Sequence, residues 1–402
     1  MGFISYEESI QILQELEVQS KGRENLALTQ SLGRIIAEDI VALENSPIFP
    51  TSAMDGYAIL GVDQELGRIE LIPNDNPAGT DIEIEVTPGL ALKTFTGSLM
   101  PKGADTLTPI ENVTVDGNSI IINETVPAGF SVRPVGESFK AGEVLISRGT
   151  KIGYAEIGVM ASLGLVMIPL VVEPKVAILA TGSEVLDLGE CSTNPAQIRS
   201  SNNYTLAALS EQHGAKAVQM GVVSDAYASI KNEMTQALEN ADIVVTTGGV
   251  SVGDYDFVKD IIPELGAKVI YQGVKIKPGQ HVMVAQKGTK FIVGLPGFAF
   301  SSTVTFLLYV VPLIEKLKGR SYQPKIVNAT LKESFSKRSK KSEFTPCNLR
   351  LHEGRYEVDF KGKKNGSSAI LTNMLGATAL LMSKEDDSTF DKGSDVKVMV
   401  IS

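Results

Sequence analysis

Hydrophobic residues change their spacing three times along this chain, and each change marks a change in the kind of structure. Ser5 followed by Glu8 forms a capping-box signal, and Ile10, Leu13 and Leu16 then recur at helical spacing, which predicts an amphipathic helix that serves packing. From about Ile59 to Gly149 the pattern shortens to strands broken by turns, with "VDGNSIII" reading as a hairpin through Asp116-Gly117 and "VTPGLAL" as another break. A helical connector, "KIGYAEIGVMASLGL", closes this β-rich stretch.

From about Glu173 the chain alternates strands and helices. "KVAILA", "KAVQMGVV", "ADIVVTT" and "TKFIVGL" read as strands. "SSNNYTLAALSEQHG", with Asn or Ser caps and Gly214 as its stop, reads as a helix, as do "YASIKNEMTQALEN" and "DYDFVKDIIPELG", the last interrupted near Pro263. "FSSTVTFLLYVVPLIEKLKG" is a long final helix. Such alternation predicts a mostly parallel sheet covered on both faces, with ligands at the C-terminal ends of its strands. After Gly319 five strand-like segments, from "NATLKESF" to "VKVMVIS", predict a small β-barrel or sandwich.

Length adds that 402 residues make several domains, and 43% hydrophobic with 21% charged residues is ordinary globular composition. A net charge of −10 argues against general affinity for nucleic acid or an anionic membrane. An anionic ligand therefore needs local help from a metal ion, a helix N-terminus or a few lysines. Cys191 and Cys347 form neither a disulfide framework nor a metal pair, which fits a reducing cytoplasm. The N-terminus lacks the basic start and apolar core of a signal peptide and misses the myristoylation pattern. The longest apolar run, Val304 to Ile314, contains Pro312 and is too short to span a bilayer.

Three strand ends of the alternating region open into glycine-rich loops: "LATGSEV", "VTTGGVSVGDYD" and "VGLPGFAFSS". Side by side on one sheet edge they form a pocket of backbone N–H groups. None is a phosphate-binding P-loop, and Val250 breaks the dinucleotide fingerprint. Glu184, Asp225, Asp254 and Asp256 follow the strand ends; they suit Mg²⁺ held against phosphate oxygens, and equally helix N-caps. In "KIKPGQ", Lys277 suits a phosphate or oxyanion while Lys275 faces solvent. The histidines His213, His281 and His352 have no motif partners, and His213 reads as structural. "KRSKKSE", from Lys337, reads as a solvated turn, being short and without interleaved aromatics. In "PIFPTSAMDGYAI" two prolines stiffen the approach to an Asp55-Gly56 turn that presents the carboxylate, and "TFTGSLMPKGADT" exposes Thr96 beside Gly97.

The pieces "SAMDGYA", "FTGSLMPKGAD", "LATGSEV", "TTGGVSVGDYDFVK", "KIKPGQ" and "GLPG" stand in the order of the molybdopterin molybdenumtransferases, the MoeA family, to which the C-terminal region of gephyrin also belongs. Nearly the whole chain resembles that family. The resemblance implies a multidomain α/β plus β protein: an N-terminal region over 1–172, helical over about 1–45 and 145–172 and β-rich over about 46–144; a three-layer α/β molybdopterin-binding domain over 173–320; and a C-terminal barrel-like β-domain over 321–402. It further implies a cytoplasmic homodimer whose active site forms where the α/β domain of one subunit meets the "MDGYA" domain of the other. Family members insert molybdate into adenylated molybdopterin with release of AMP, assisted by Mg²⁺, and the product passes on to other proteins of cofactor assembly and use.

Carried over by motif, Asp55, Thr96, Glu184 and Lys277 form the insertion site. Gly182, Gly248, Gly249, Ser251, Gly253, Pro296, Gly297 and Ser367 contact the pterin nucleotide, and Asp225, Asp256 and Glu184 serve Mg²⁺, Asp225 also the nucleotide. The chain departs from the pattern in several places. Ser183 and Ser138 replace aspartates, Gln280 replaces the second lysine of Lys-Pro-Gly-Lys-Pro, Phe298 and Ala299 replace Asn-Pro, and Pro346 replaces an arginine. Those losses of charge leave a second reading, a relative that binds pterin or nucleotide without efficient insertion. Without the resemblance, the residues also fit a Mg²⁺-dependent nucleotidyltransferase.

Overall fold

The structure is a computed structural model that describes residues 2–81, 83–249, 257–337, 339–364 and 366–401. They fall into two compact units, one of residues 1–37 and 167–402 and the other of residues 38–166.

In the first unit a six-stranded sheet runs in the order Lys216–Val223, Lys175–Thr181, Ile243–Thr247, Lys290–Leu295, Met283–Lys287, Lys268–Gln272. The first four strands are parallel, Met283–Lys287 runs antiparallel to them, and the edge strand Lys268–Gln272, antiparallel to Met283–Lys287, runs with the first four. Their sequences show why: the central strands are buried along nearly their whole length, as strands covered on both faces must be. The antiparallel pair is a pairing the helix-strand alternation does not reveal, because its two strands are linked without a helix. Helices Asn202–Gln212, Tyr227–Asn240 and Val258–Glu264 join the parallel strands. Pro263 lies inside the last turn of the third helix rather than interrupting it. A seven-residue helix has few internal hydrogen bonds for the missing N–H to break.

The continuous helix Ala299–Leu317 extends well beyond the apolar run seen in the sequence. It is long and apolar enough by length and composition to cross a membrane, but 83% of it is buried within the protein, where Val304, Phe306, Tyr309 and Leu313 fill the main core. Its middle, Phe306–Val310, widens to a π-turn directly before Pro312, whose ring nitrogen has no N–H to return to Leu308. The N-terminal helix Tyr6–Glu15 is capped by the Ser5 hydroxyl, which accepts the Glu8 N–H at 3.1 Å, and buries Leu13 in the same core.

Further along, the strands Ser342–His352, Arg355–Asp359, Ile326–Leu331, Asp395–Val400 and Thr378–Ser383 pair in a ring, because the first also pairs with the last. That closure makes this part barrel-like and leaves no free edge between the ring strands. Ile276–Lys277, from the α/β part, adds to it beside Ser342–Glu343.

The second unit is built on the six strands Thr106–Pro109, Gly56–Ile59, Leu90–Thr94, Arg68–Asn76, Ser119–Ile122 and Val113–Asp116, in that spatial order. The last two form the hairpin expected at Asp116-Gly117. The connector forms the helix Tyr154–Ser162.

Candidate functional site

The three glycine loops leave neighbouring parallel strands that end level with one another: Ala180 pairs with Thr247, and Thr247 with Leu295. They then close together. A Cβ added to Gly248 would lie 2.8 Å from the Thr181 hydroxyl and 3.1 Å from its carbonyl, on a backbone already in the left-handed region at φ 93°. One added to Gly297 would lie 3.8 Å from the Gly248 Cα. Glycine is thus needed at Gly248 for both space and conformation. The Gly248 N–H donates to the Leu295 carbonyl at 3.0 Å. Gly249, also left-handed, would press an added Cβ against Val258. Val250 and the stretch Ser251 to Asp256 that continues this loop lie outside the described residues, and with them the expectations for Ser251, Gly253, Asp254 and Asp256.

Asp225 and the "LATGSEV" loop clasp each other. The Ser183 N–H donates to Asp225 Oδ2 at 3.0 Å, and the Asp225 N–H donates to the Ser183 hydroxyl at 3.2 Å. Ser183, one of the departures from the family pattern, therefore ties the ends of two adjacent strands. Glu184 is exposed, and its carboxylate folds back to within about 3 Å of the space beside Gly182, where a side chain would collide with it.

Two carboxylates with an oxygen-only donor set suit Mg²⁺, which takes one or two protein carboxylates and completes its shell with water and substrate phosphate. Asp225 keeps Oδ1 uncommitted by any bond within the loop clasp, and Glu184 is open to solvent. Among the described residues no three of His, Cys, Asp and Glu gather at metal-ligand spacing.

Asn202, one of several candidate helix caps in "SSNNY", has a different task. Its side-chain N–H donates to the Gly297 carbonyl at 2.8 Å and its oxygen accepts the Ser302 hydroxyl at 3.1 Å, so the first residue of helix Asn202–Gln212 pins the third glycine loop. The signal available was the polar run "SSNNY" at a strand-end connection, which does not say which asparagine turns toward the loop.

Beside these loops lies a cleft of about 200 Å³ whose walls include Lys277, Gln280, Lys341, Pro346 and Ser367. It touches the third loop's surroundings through Gly279, where an added Cβ would meet Pro296 at 3.6 Å. Lys277 faces Glu343 at 3.1 Å, an ion pair the sequence did not suggest, while Lys275 is exposed as expected. His213 ends its helix, and its carbonyl accepts Lys318 at 2.6 Å, the structural role expected of that position.

In the second unit Asp55 and Thr96 meet directly. Asp55 Oδ1 accepts both the Thr96 hydroxyl, at 2.7 Å, and the Thr96 N–H, at 2.8 Å. The hydroxyl bond first, then the backbone bond, hold the Asp55 carboxyl below its ordinary range although it is exposed. Gly56 does not form the turn expected of it. It begins the buried strand Gly56–Ile59, where an added Cβ would sit 2.4 Å from the Thr108 carbonyl of the neighbouring strand. Glycine is required by close strand approach, and the carboxylate is presented by the strand's entry.

Three regions of the chain match known family regions: the MoeA N-terminal region (domain I and II) over residues 4–164, a probable molybdopterin binding domain over 177–316, and the MoeA C-terminal region (domain IV) over 328–401. A Nostoc protein named molybdopterin molybdenumtransferase is 33% identical over 91% of this chain and 86% of its own length. A Staphylococcus epidermidis protein of the same name is 31% identical, covering 99% of this chain and 95% of its own length. Among solved structures, a molybdopterin biosynthesis MoeA protein from Pyrococcus horikoshii superposes with a TM-score of 0.86 at 27% identity over 99% of both chains. With relatives above 30% identity along almost its full length and all three regions present in order, the chain belongs to the MoeA family.

Proposed function

We propose that this protein inserts molybdenum into adenylated molybdopterin, releasing AMP, as the final step of molybdenum cofactor assembly. The observation that carries the reading is the closure of three glycine loops at the ends of adjacent parallel strands, within the region that matches a probable molybdopterin binding domain. Glycines at Gly248 and Gly297 let a flat pterin and its phosphate approach bare backbone, which side chains would keep away. Relatives named for this transfer reaction support the same assignment.

The residues divide the chemistry. Gly182, Gly248, Gly249, Pro296 and Gly297 shape the nucleotide and pterin seat, and the Asn202 amide holds the third loop in place. Asp225 and Glu184 are the described residues that would hold Mg²⁺, which when bound offsets charge on the phosphoanhydride. A molybdate oxygen attacks the pterin-side phosphorus of the anhydride and AMP leaves; the phosphate keeps that oxygen as its bond to molybdenum breaks, and the dithiolene sulfurs take the metal while their two thiol protons leave with one oxide as water. Lys277 lowers the cost of negative charge developing at the reacting phosphate, and Ser367 lends a hydroxyl from the C-terminal domain. Asp55, kept ionised by Thr96, orients the metal-bearing end of the substrate. The working form is a cytoplasmic homodimer in which Asp55 and Thr96 of one subunit serve the α/β domain of the other; its partners are the pterin nucleotide and proteins of cofactor assembly.

Asp55→Ala tests the division of labour. It is expected to bind molybdopterin adenylate almost as wild type does while losing at least about a hundredfold in molybdate-dependent AMP release. Parallel loss of binding and turnover would make Asp55 a structural residue and remove it from the chemistry.

A further inference from the structure

Position 280 carries glutamine, so the turn that follows Lys277 presents an uncharged side chain to the cleft. The segment "KRSKKSE", which reads as a solvated turn, changes that picture. Lys337 is nearly buried and donates to the carbonyls of Lys384 and Glu385, so it is a structural clamp. Lys341, four residues on, lines the same cleft as Gln280 and donates its ammonium to the Gln280 side-chain oxygen. With its carbonyl turned to Lys341, the Gln280 amide turns its N–H toward His281 Nε2 at 2.8 Å, which accepts. The glutamine is held in one orientation from both sides.

Charge in this cleft is unevenly matched. Lys277 is balanced by Glu343, itself almost buried. Lys341 pairs with a neutral amide, and among the described residues no carboxylate forms an ion pair with it. A half-buried ammonium with one neutral acceptor has two further N–H donors and an uncompensated charge, which together favour an anion as the next partner.

We infer that Lys341 supplies this cleft with the charge that Gln280 lacks, delivered from the C-terminal domain to the place where the family pattern has a lysine at position 280, and that it contacts a tetrahedral oxyanion bound there. The inference rests on the reading of the chain as a protein that handles molybdate and a pterin phosphate; either anion has the required chemistry. It also reverses the expected effect of restoring the family residue. A lysine at 280 would press a second ammonium against Lys341, so Gln280→Lys helps only where Lys341 has lost its charge.

The test is calorimetric titration of the full-length protein with sodium molybdate, and separately with inorganic phosphate, at constant ionic strength. Wild type, K341Q, Q280K and the double variant are compared, with K341R and thermal unfolding as controls for folding. K341Q is expected to weaken oxyanion binding about tenfold, Q280K to leave it unchanged or weaker, and the double variant to recover to within roughly threefold of wild type. Loss confined to molybdate assigns the site to that substrate, and loss confined to phosphate assigns it to the pterin phosphate. Wild-type binding in K341Q, an equal gain from Q280K in both backgrounds, or no binding of either anion by wild type overturns the inference. AMP release measured on the same proteins separates the two ideas: turnover without this coupling removes Lys341 alone, and coupling without turnover removes the insertion reaction alone.

Discussion

Asp55 accepts two hydrogen bonds from one residue, and both favour its ionised form. A carboxyl held below its ordinary range contributes above that range and loses its contribution only as pH falls through the lowered value. Asp55 therefore stays charged through the mildly acidic range. Thr96→Val removes the larger of the two causes and keeps the backbone bond. Its expected result is an upward move of the Asp55 titration toward the ordinary carboxylate range, read by carboxyl carbon NMR, with the acid limb of AMP release moving the same way. An unmoved titration would show that the hydroxyl bond does not form in solution. At this scale the sequence made Asp55 and Thr96 visible because each stands beside a glycine in a compact motif, yet their contact was not: 41 positions separate them, and no local pattern encodes a meeting of that kind. The Lys277 ion pair with Glu343 and the Lys341 bond to Gln280 were hidden for the same reason.

Elements were easier to read than contacts. Alternating and helical periodicities locate the strands Lys175–Thr181 and Ile243–Thr247 and the helices between them, because burial of one face or both leaves its period in the chain. The pairing of Met283–Lys287 with its neighbours follows from partners elsewhere in the sheet, and the role of Gly56 follows from a carbonyl on the neighbouring strand. Two substitutions test these points. Gly56→Ala should destabilise its unit by roughly 2 kcal/mol or more, seen as a lowered unfolding midpoint, since a Cβ has no room against Thr108. A turn glycine without such a contact would cost less. Asn202→Ala should cost about 1–2 kcal/mol by leaving the Gly297 carbonyl without its donor, the Ser302 hydroxyl keeping the Ala299 carbonyl as acceptor, and should raise the dissociation constant for the adenylate; unchanged binding would free the third loop from its dependence on Asn202.

For the whole molecule, three matched regions in family order and a net charge of −10 frame one problem: an acidic protein handling anionic substrates must localise its cations. Lys277 and Lys341 are two such cations in one cleft, so charge missing from Gln280 in the sequence is not missing from the fold. The proposed homodimer with shared sites makes a further prediction. Asp55→Ala and Asp225→Ala proteins, each inactive, should recover roughly a quarter of wild-type activity after subunit exchange, because half of the mixed dimers' sites contain neither substitution. No recovery would place both residues in one subunit's site. The most direct measurement remains AMP release by the purified protein from adenylated molybdopterin and Mg²⁺, followed chromatographically with and without molybdate. Release that depends on molybdate is the predicted result; binding of the adenylate without release, whatever the molybdate concentration, would contradict the insertion reaction.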